Sequence, residues 1–579
     1  MNGGLSNASF SQTNRKFVST YEKLLQGLTP EQISPKESLD GFFANLFALD
    51  VERGYLEQRI KQLSKEQCLG PLKGSLNTLF SQCLSFARAK SPHSGNALDT
   101  LLVLLKCILV KVSTGWEIME ILAGGVSESD KVFMEFAEVI DIGLSDAEFP
   151  ADIRHQILQV AIVFLCGVGQ MSPGAYLLRR DLYASIIKFI KSPETEKFTF
   201  EATVFLGLLA NYHKSDAAKL NPYLQRIREC TDVDLMYQIC WASNFALDTS
   251  VKAYQAISDD SPPTFASSLS SMMLSLRPDR ALASKDIDPP RELFKNQPIE
   301  ATVVLLPLFE LARTNQQFCS ILMDYLTSTS TSRKPTKPIY GNPPPLTILT
   351  LSSYLLTHAS STSSSRAMAL YNNQSGFVAS ITIRICHRII WFLQNEQFRL
   401  DYHWRELWKA ILALLDFLSA KLESLVTTGG IEQLTRDALD LLYLALYRVD
   451  VFLPTPQAVH EMIYEIARSS SILRKQTTLL SSLALPASAG QRRGSIGAPV
   501  DSLAVVISVA EYYEGRIQTA GARSAREGIQ IVAREIDKEG LQAVEGMKEK
   551  ANIEEPASDP KDVLAFGRYA CSDALRLMP

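Results

Sequence analysis

One pattern constrains this chain more than any other. Apolar residues recur with a helical period, segment after segment, over most of its length. Leu39, Phe42, Phe43, Leu46, Phe47 and Leu49 follow the i, i+3, i+4, i+7 spacing of an amphipathic helix. Leu72, Leu76, Leu79, Phe80, Cys83 and Leu84 repeat it, as do Phe198, Val204, Phe205, Leu208 and Leu209, and Leu407, Ile411, Leu414, Leu415, Phe417 and Leu418. Breakers punctuate the segments: Gly70-Pro71, the polar loop 91–96, Ala123-Gly124-Gly125, Phe149-Pro150, Ser192-Pro193 and Asn221-Pro222. Alternating strand patterns are scarce. The β-branched patch 381–385 reads as buried helix, because it runs directly into Arg388-Ile389-Ile390-Trp391-Phe392-Leu393. A helix hairpin cannot bury its apolar face alone and stacks on its neighbours. Helix pairs recur at roughly the ~40–47 residues of armadillo and HEAT units, without a repeated consensus. The predicted fold is therefore all-α, an armadillo/HEAT-like α-solenoid with irregular repeats and a separate C-terminal helical segment. An irregular helical bundle is the competing arrangement.

Composition divides the chain further. Residues 1–12 are polar and Asn/Ser-rich and are expected to be disordered; 13–257 form an N-terminal helical array. A Ser/Pro-rich, partly ordered connection follows at 258–297, then a second array at 298–485, interrupted by a Pro/Ser-rich loop at 327–345 that no continuous helix can cross. Residues 486–499 have the composition of a flexible linker, and 500–579 read as amphipathic helices, with 501–550 forming one helix or two.

With 46% hydrophobic and 21% charged residues, most of the chain can bury a core. The balance of 58 Lys+Arg against 62 Asp+Glu argues against a dedicated nucleic-acid binder. Nine scattered cysteines with no CxxC pair read as reduced thiols in a cytosolic protein. The N-terminus lacks the basic and apolar regions of a secretory signal, and Asn2 stands where myristoylation needs Gly. The apolar stretches 98–112, 155–178 and 338–365 are read as buried helices, with a membrane span the minor alternative.

Catalytic chemistry is hard to find. There is no phosphate loop, GxSxG elbow, HExxH pair or kinase signature set, and Gly167-Val168-Gly169, which lacks a third glycine and follows a helical run, is a false lead for dinucleotide binding. No two of the seven histidines stand at i, i+4, and adjacent Cys386-His387 is a poor chelate. No catalytic, cofactor-binding or metal-ligating residue is assigned, and the chain is expected not to be an enzyme. The densest functional-looking cluster is 401–408. Tyr402, Trp404, Arg405 and Trp408 read either as a partner-contact hot spot or, more simply, as a helix start with Asp401 as N-cap and the two tryptophans packed at i, i+4. Arg492-Arg493-Gly494-Ser495 makes Ser495 a candidate phosphorylation site. The helices after residue 500 carry both signs of charge, which favours packing on the array over lying on a lipid surface.

The N-terminal region also carries a family likeness. Lys16-Phe17-Val18-Ser19-Thr20-Tyr21-Glu22-Lys23-Leu24-Leu25-Gln26-Gly27 resembles the opening of the armadillo-like helical domain-containing protein 3 family. Phe42-Phe43, Leu46-Phe47, Leu49-Asp50-Val51 and Tyr55-Leu56-Glu57 continue the likeness, as does the all-helical pattern of the first ~480 residues. The resemblance implies a non-enzymatic scaffold in the cytosol and peripherally on Golgi membranes. Its implied partners are a Golgi phosphatidylinositol 4-kinase and a large Arf guanine-nucleotide exchange factor, in support of phosphatidylinositol 4-phosphate supply and secretion. Another α-solenoid adaptor, a transport receptor or complex subunit without the kinase, is the alternative. An enzyme with an unfamiliar site near 386–387 or 401–408 is the third.

Overall fold

A computed structural model describes residues 4–212, 221–258, 302–327, 342–360, 376–420, 431–483, 502–541 and 560–578. Among them every regular element is helical and no strand occurs. The chain is an all-α, armadillo-like solenoid, and its helix ends follow from local chemistry. Ser38 Oγ accepts the Gly41 amide (3.2 Å) ahead of Leu39–Phe47. Thr114 and Glu117 form a reciprocal capping box at the start of Gly115–Ala123. Asn221 Oδ1 accepts the Tyr223 and Leu224 amides where Pro222–Glu229 begins. Gly124 ends Gly115–Ala123 with φ +79°, a conformation that favours glycine.

The described residues divide into two compact units, 4–242 with 570–578, and 243–258 with 302–569. In the first, Lys73–Arg88 packs on Ser94–Ile108, which also packs on Arg53–Gln62 and Ala151–Val168. Ala151–Val168 in turn contacts Val126–Ser145 and Thr199–Ala210. Each helix thus buries its apolar face between the repeat before and the repeat after. Side-chain hydrogen bonds mark the repeat length. Asn77 Nδ2 donates to the Leu122 carbonyl, Asn96 Nδ2 to the Phe47 carbonyl, Tyr176 OH to Asp130 and Tyr223 OH to the Leu177 carbonyl. Their partners lie 45, 49, 46 and 46 residues away, which is one structural repeat.

Ala151–Val168 is, among the described residues, the one helix long and apolar enough to cross a membrane, and 72% of it is buried in the protein. Gly167 explains why. A Cβ there would come within 2.8 Å of Leu109 Cβ, so the glycine permits close helix contact. Gly169, at φ +53°, follows the last helical residue. The Gly167-Val168-Gly169 run is thus a packing contact and a helix end.

In the second unit Pro344–Ser360 packs on Gly376–Asn395 and Trp404–Ala420, and Gly376–Asn395 packs on Ile431–Tyr447. Ser502–Thr519 lies against Ile431–Tyr447, Pro456–Arg468 and Ser470–Leu483, and Ala525–Glu539 lies against Pro456–Arg468. The mixed-charge helices therefore pack on the array. The described part of the 501–550 stretch, 502–541, contains two helices, separated where Gly521 takes φ +66° and Ser524 Oγ caps the second by accepting the Glu527 amide.

Three expectations need correction. The first helix runs Gly4–Leu25, so the stretch 1–12 is helical from Gly4 onward. Phe17, Tyr21, Leu24 and Leu25 are buried, and once such a face nucleates a turn each further residue adds a hydrogen bond upstream. The 327–345 loop closes early, because Pro344 and Pro345 form the first turn of Pro344–Ser360, where a missing amide hydrogen costs nothing. The 91–96 loop likewise ends at Ser94, the first residue of Ser94–Ile108. Residues 259–297, 328–341 and 486–499 lie outside the described residues, and Ser495 with them.

The second unit encloses a charged pair. Arg384 and Asp437 side chains are each 1% exposed, with Arg384 Nε donating to Asp437 Oδ2 at 2.9 Å. Ser380 Oγ donates to the same oxygen and Gln433 Nε2 to the other (2.7 Å). Asp437→Ala should cost about 3–5 kcal/mol, because it strands a buried guanidinium. Adding Arg384→Met should recover most of that loss. Chemical denaturation of the full chain measures both. Equal midpoints for the single and double variants would refute the charge argument.

Candidate interaction surface

The aromatic cluster is part of the core. Trp404 and Trp408 are 2% and 0% exposed and stack with ring centroids 5.6 Å apart at 14°. Phe452 and Tyr402 meet Trp404 edge-on at 5.0 and 5.2 Å, and Trp404 Nε1 donates to the Leu400 carbonyl at 3.0 Å. Tyr402 OH lies 2.8 Å from Ser353 Oγ and donates to the Leu349 carbonyl; burial pushes its pKa up. Arg405 Nε donates to Glu465 Oε1 (2.8 Å), a fully buried carboxylate that Arg468 also approaches. The four residues are brought together, but the indoles present no face to a partner. Trp404 and Trp408 are thus packing residues, whereas Tyr402 and Arg405 are half-buried and line a groove described below. The cluster's helix starts at Trp404, so Asp401 is not its N-cap.

Cys386 and His387 are both buried, and burial pushes the Cys386 thiol up to about 12. A thiol held there stays protonated at neutral pH and is a poor nucleophile. His155 is likewise interior. Its Nε2 lies 2.5 Å from Glu201 Oε2, and its ring stacks on Phe198 at 3.7 Å and 5°. Among the described residues no group of three or more His, Cys, Asp or Glu could hold a metal ion.

The second unit does open a surface. A half-open groove of about 510 Å³ lies between Pro456–Arg468 and Ala525–Glu539. Its apolar wall includes Leu453, Val459 and Ile536, and its polar groups are Arg399, Asp450, His460 and Asp537. A smaller groove of about 310 Å³ runs along the other side of the same helix start, past Asp401, Glu406 and Glu461, and shares Thr455 with the first. Thr455 Oγ1 accepts the Ala458 amide and so fixes the helix start between them. The two helices approach closely at Gly528, where a Cβ would meet Tyr464 Cε2 at 2.4 Å. Sequence reasoning missed this surface. It assembles from 399, 446–460 and 536–541, and no local motif spans those segments.

His460 is the titrating group of the groove. Burial holds its pKa below the usual imidazole value, and Asp537 only partly opposes the shift. A lowered folded pKa means that the folded state resists protonation. Near pH 7.5 His460 is neutral folded or unfolded and contributes nothing. As pH falls through the unfolded value near ~6.5, the unfolded chain takes up the proton first and stability is lost. His460→Asn should therefore melt with a smaller drop between pH 7.5 and 5.5 than wild type. A drop of the same size in both would dispose of this account.

Comparison with known proteins fits this architecture. Residues 371–548, which include both grooves and the Arg384–Asp437 pair, match the family described as Armadillo-like helical domain-containing protein 3, C-terminal. An Armadillo-like helical domain-containing protein 3 from Danio rerio is 21% identical, the match covering 88% of this chain and 85% of that protein. The Homo sapiens protein of that name is 21% identical over 90% and 87% of the two chains. A Schizosaccharomyces pombe protein named as a UPF0588 membrane protein is 21% identical over 80% and 84%. The chain thus carries the C-terminal domain of the armadillo-like helical domain-containing protein 3 family and is similar to its members over most of its length.

Proposed function

We propose that this protein is a non-enzymatic helical scaffold that associates peripherally with Golgi membranes. In this reading it binds a Golgi phosphatidylinositol 4-kinase and supports a large Arf guanine-nucleotide exchange factor, for phosphatidylinositol 4-phosphate supply and secretion. The observation that carries it is the family C-terminal domain at 371–548, within a likeness that spans both helical units. The chemistry of the interior supports it. The buried histidines and thiols are packed, and the open surface is a groove between helices, suited to a protein segment. The mechanism is proximity, since holding two partners on one chain raises the concentration of each at the other. The purified chain should bind its own organism's Golgi phosphatidylinositol 4-kinase saturably at micromolar or better. No binding up to ~100 μM, or less than ~5.5 kcal/mol, would remove the kinase and leave an α-solenoid adaptor with other partners.

The fission-yeast relative's name raises a second arrangement, a chain that spans the membrane through Ala151–Val168. The burial of that helix against Leu109 and the neighbouring repeats argues against it. Peripheral association predicts that alkaline carbonate releases the protein from membranes. Retention in the pellet would favour the span.

A further inference from the structure

We infer that the paired grooves beside Thr455 receive a cationic amphipathic helix from a protein partner. This rests on the scaffold reading and names the chemistry of its docking surface. Three observations converge. First, the larger groove lies between two packed helices and offers the partly exposed apolar side chains Val459, Ile536 and Leu541, in a volume of about 510 Å³. That fits the few anchors a helix presents at i, i+3, i+4 and i+7. Second, the charge is one-sided. Five acids and two arginines line the two grooves. Arg405 is already engaged by buried Glu465 and Glu406 by Lys409 (3.1 Å), which leaves Arg399 against Asp401, Asp450, Glu461 and Asp537 as the principal opposing charges. Third, Asp450 and Asp537 are exposed at the groove edge, where they would meet lysines or arginines beside an apolar stripe. An anionic membrane would be repelled by the same acids.

The test uses the full-length chain and a fluorescent amphipathic peptide of about 18 residues, with leucines at helical spacing and lysines and glutamines elsewhere. The expected result is saturable binding below ~100 μM that weakens as salt rises from ~50 to ~300 mM. In Asp450→Lys/Asp537→Lys the dissociation constant should rise roughly tenfold or more. A matched peptide with glutamates for lysines should bind that variant and not wild type. Both aspartates are exposed, so unchanged helical circular dichroism and melting should verify the fold. Absence of binding to wild type, or equal binding of the lysine peptide to the reversed variant, overturns the proposal. So does binding to anionic vesicles that Val459→Glu abolishes, since that assigns the face to lipid. Peptide binding without kinase binding would remove the kinase and keep the groove. Kinase binding without peptide binding would do the opposite.

Discussion

The burial of each helix hairpin's apolar face by the next hairpin is the interaction on which the rest depends. Leu104, Ile108, Leu158 and Val163 are fully buried only because helices from neighbouring repeats close over them. Each such side chain is worth about 1.5–3 kcal/mol relative to exposure, so removing one repeat uncovers two others. Thr199–Ala210 shows the limit, since all its residues are buried and it has no solvent face of its own. The polar ties spaced 45–49 residues apart serve a different purpose. Apolar faces tolerate sliding, whereas an asparagine amide that reaches one carbonyl of the next repeat fixes which turn sits against which.

The groove follows from the same constraint. Where consecutive helices stack fully, no cleft is left. Ala525–Glu539 packs on Pro456–Arg468, and Gly528 permits the close approach to Tyr464. Near Val459 and Ile536 the same two helices flank an open cleft. That gap brings acids and apolar side chains to one accessible place, while the tryptophans that looked more functional are consumed by packing.

Periodicity made most helices readable, because amphipathic burial sets both the pattern and the fold. Breakers made several ends readable too, at Gly124 and at Asn221-Pro222, whereas the caps at Thr114 and Ser524 were not read. What escaped depended on distance. Nothing in 401–408 distinguishes an aromatic that faces solvent from one covered by Phe452, which lies far along the chain. The Arg384–Asp437 pair is two ordinary charges until the fold buries them together. The groove draws on segments more than a hundred residues apart, and its acids look in sequence like any solvated face. The resemblance read from 16–57 concerns the opening of the chain, whereas the matched family domain lies at 371–548, so the two support each other from opposite ends.

Lys106 Nζ donates to the carbonyl of Met578 at 2.9 Å, across 472 residues of sequence, and Leu577 and Met578 are buried in the same unit. A solenoid otherwise builds by adding neighbours, and its first repeats can settle as they emerge from the ribosome. Here one place in the first unit stays uncovered until residues 577 and 578 have been made. At ~5–20 residues per second the delay is roughly half a minute to a minute and a half. Sealing this contact is therefore separate from the growth of the stack, because its two sides are 472 residues apart in sequence.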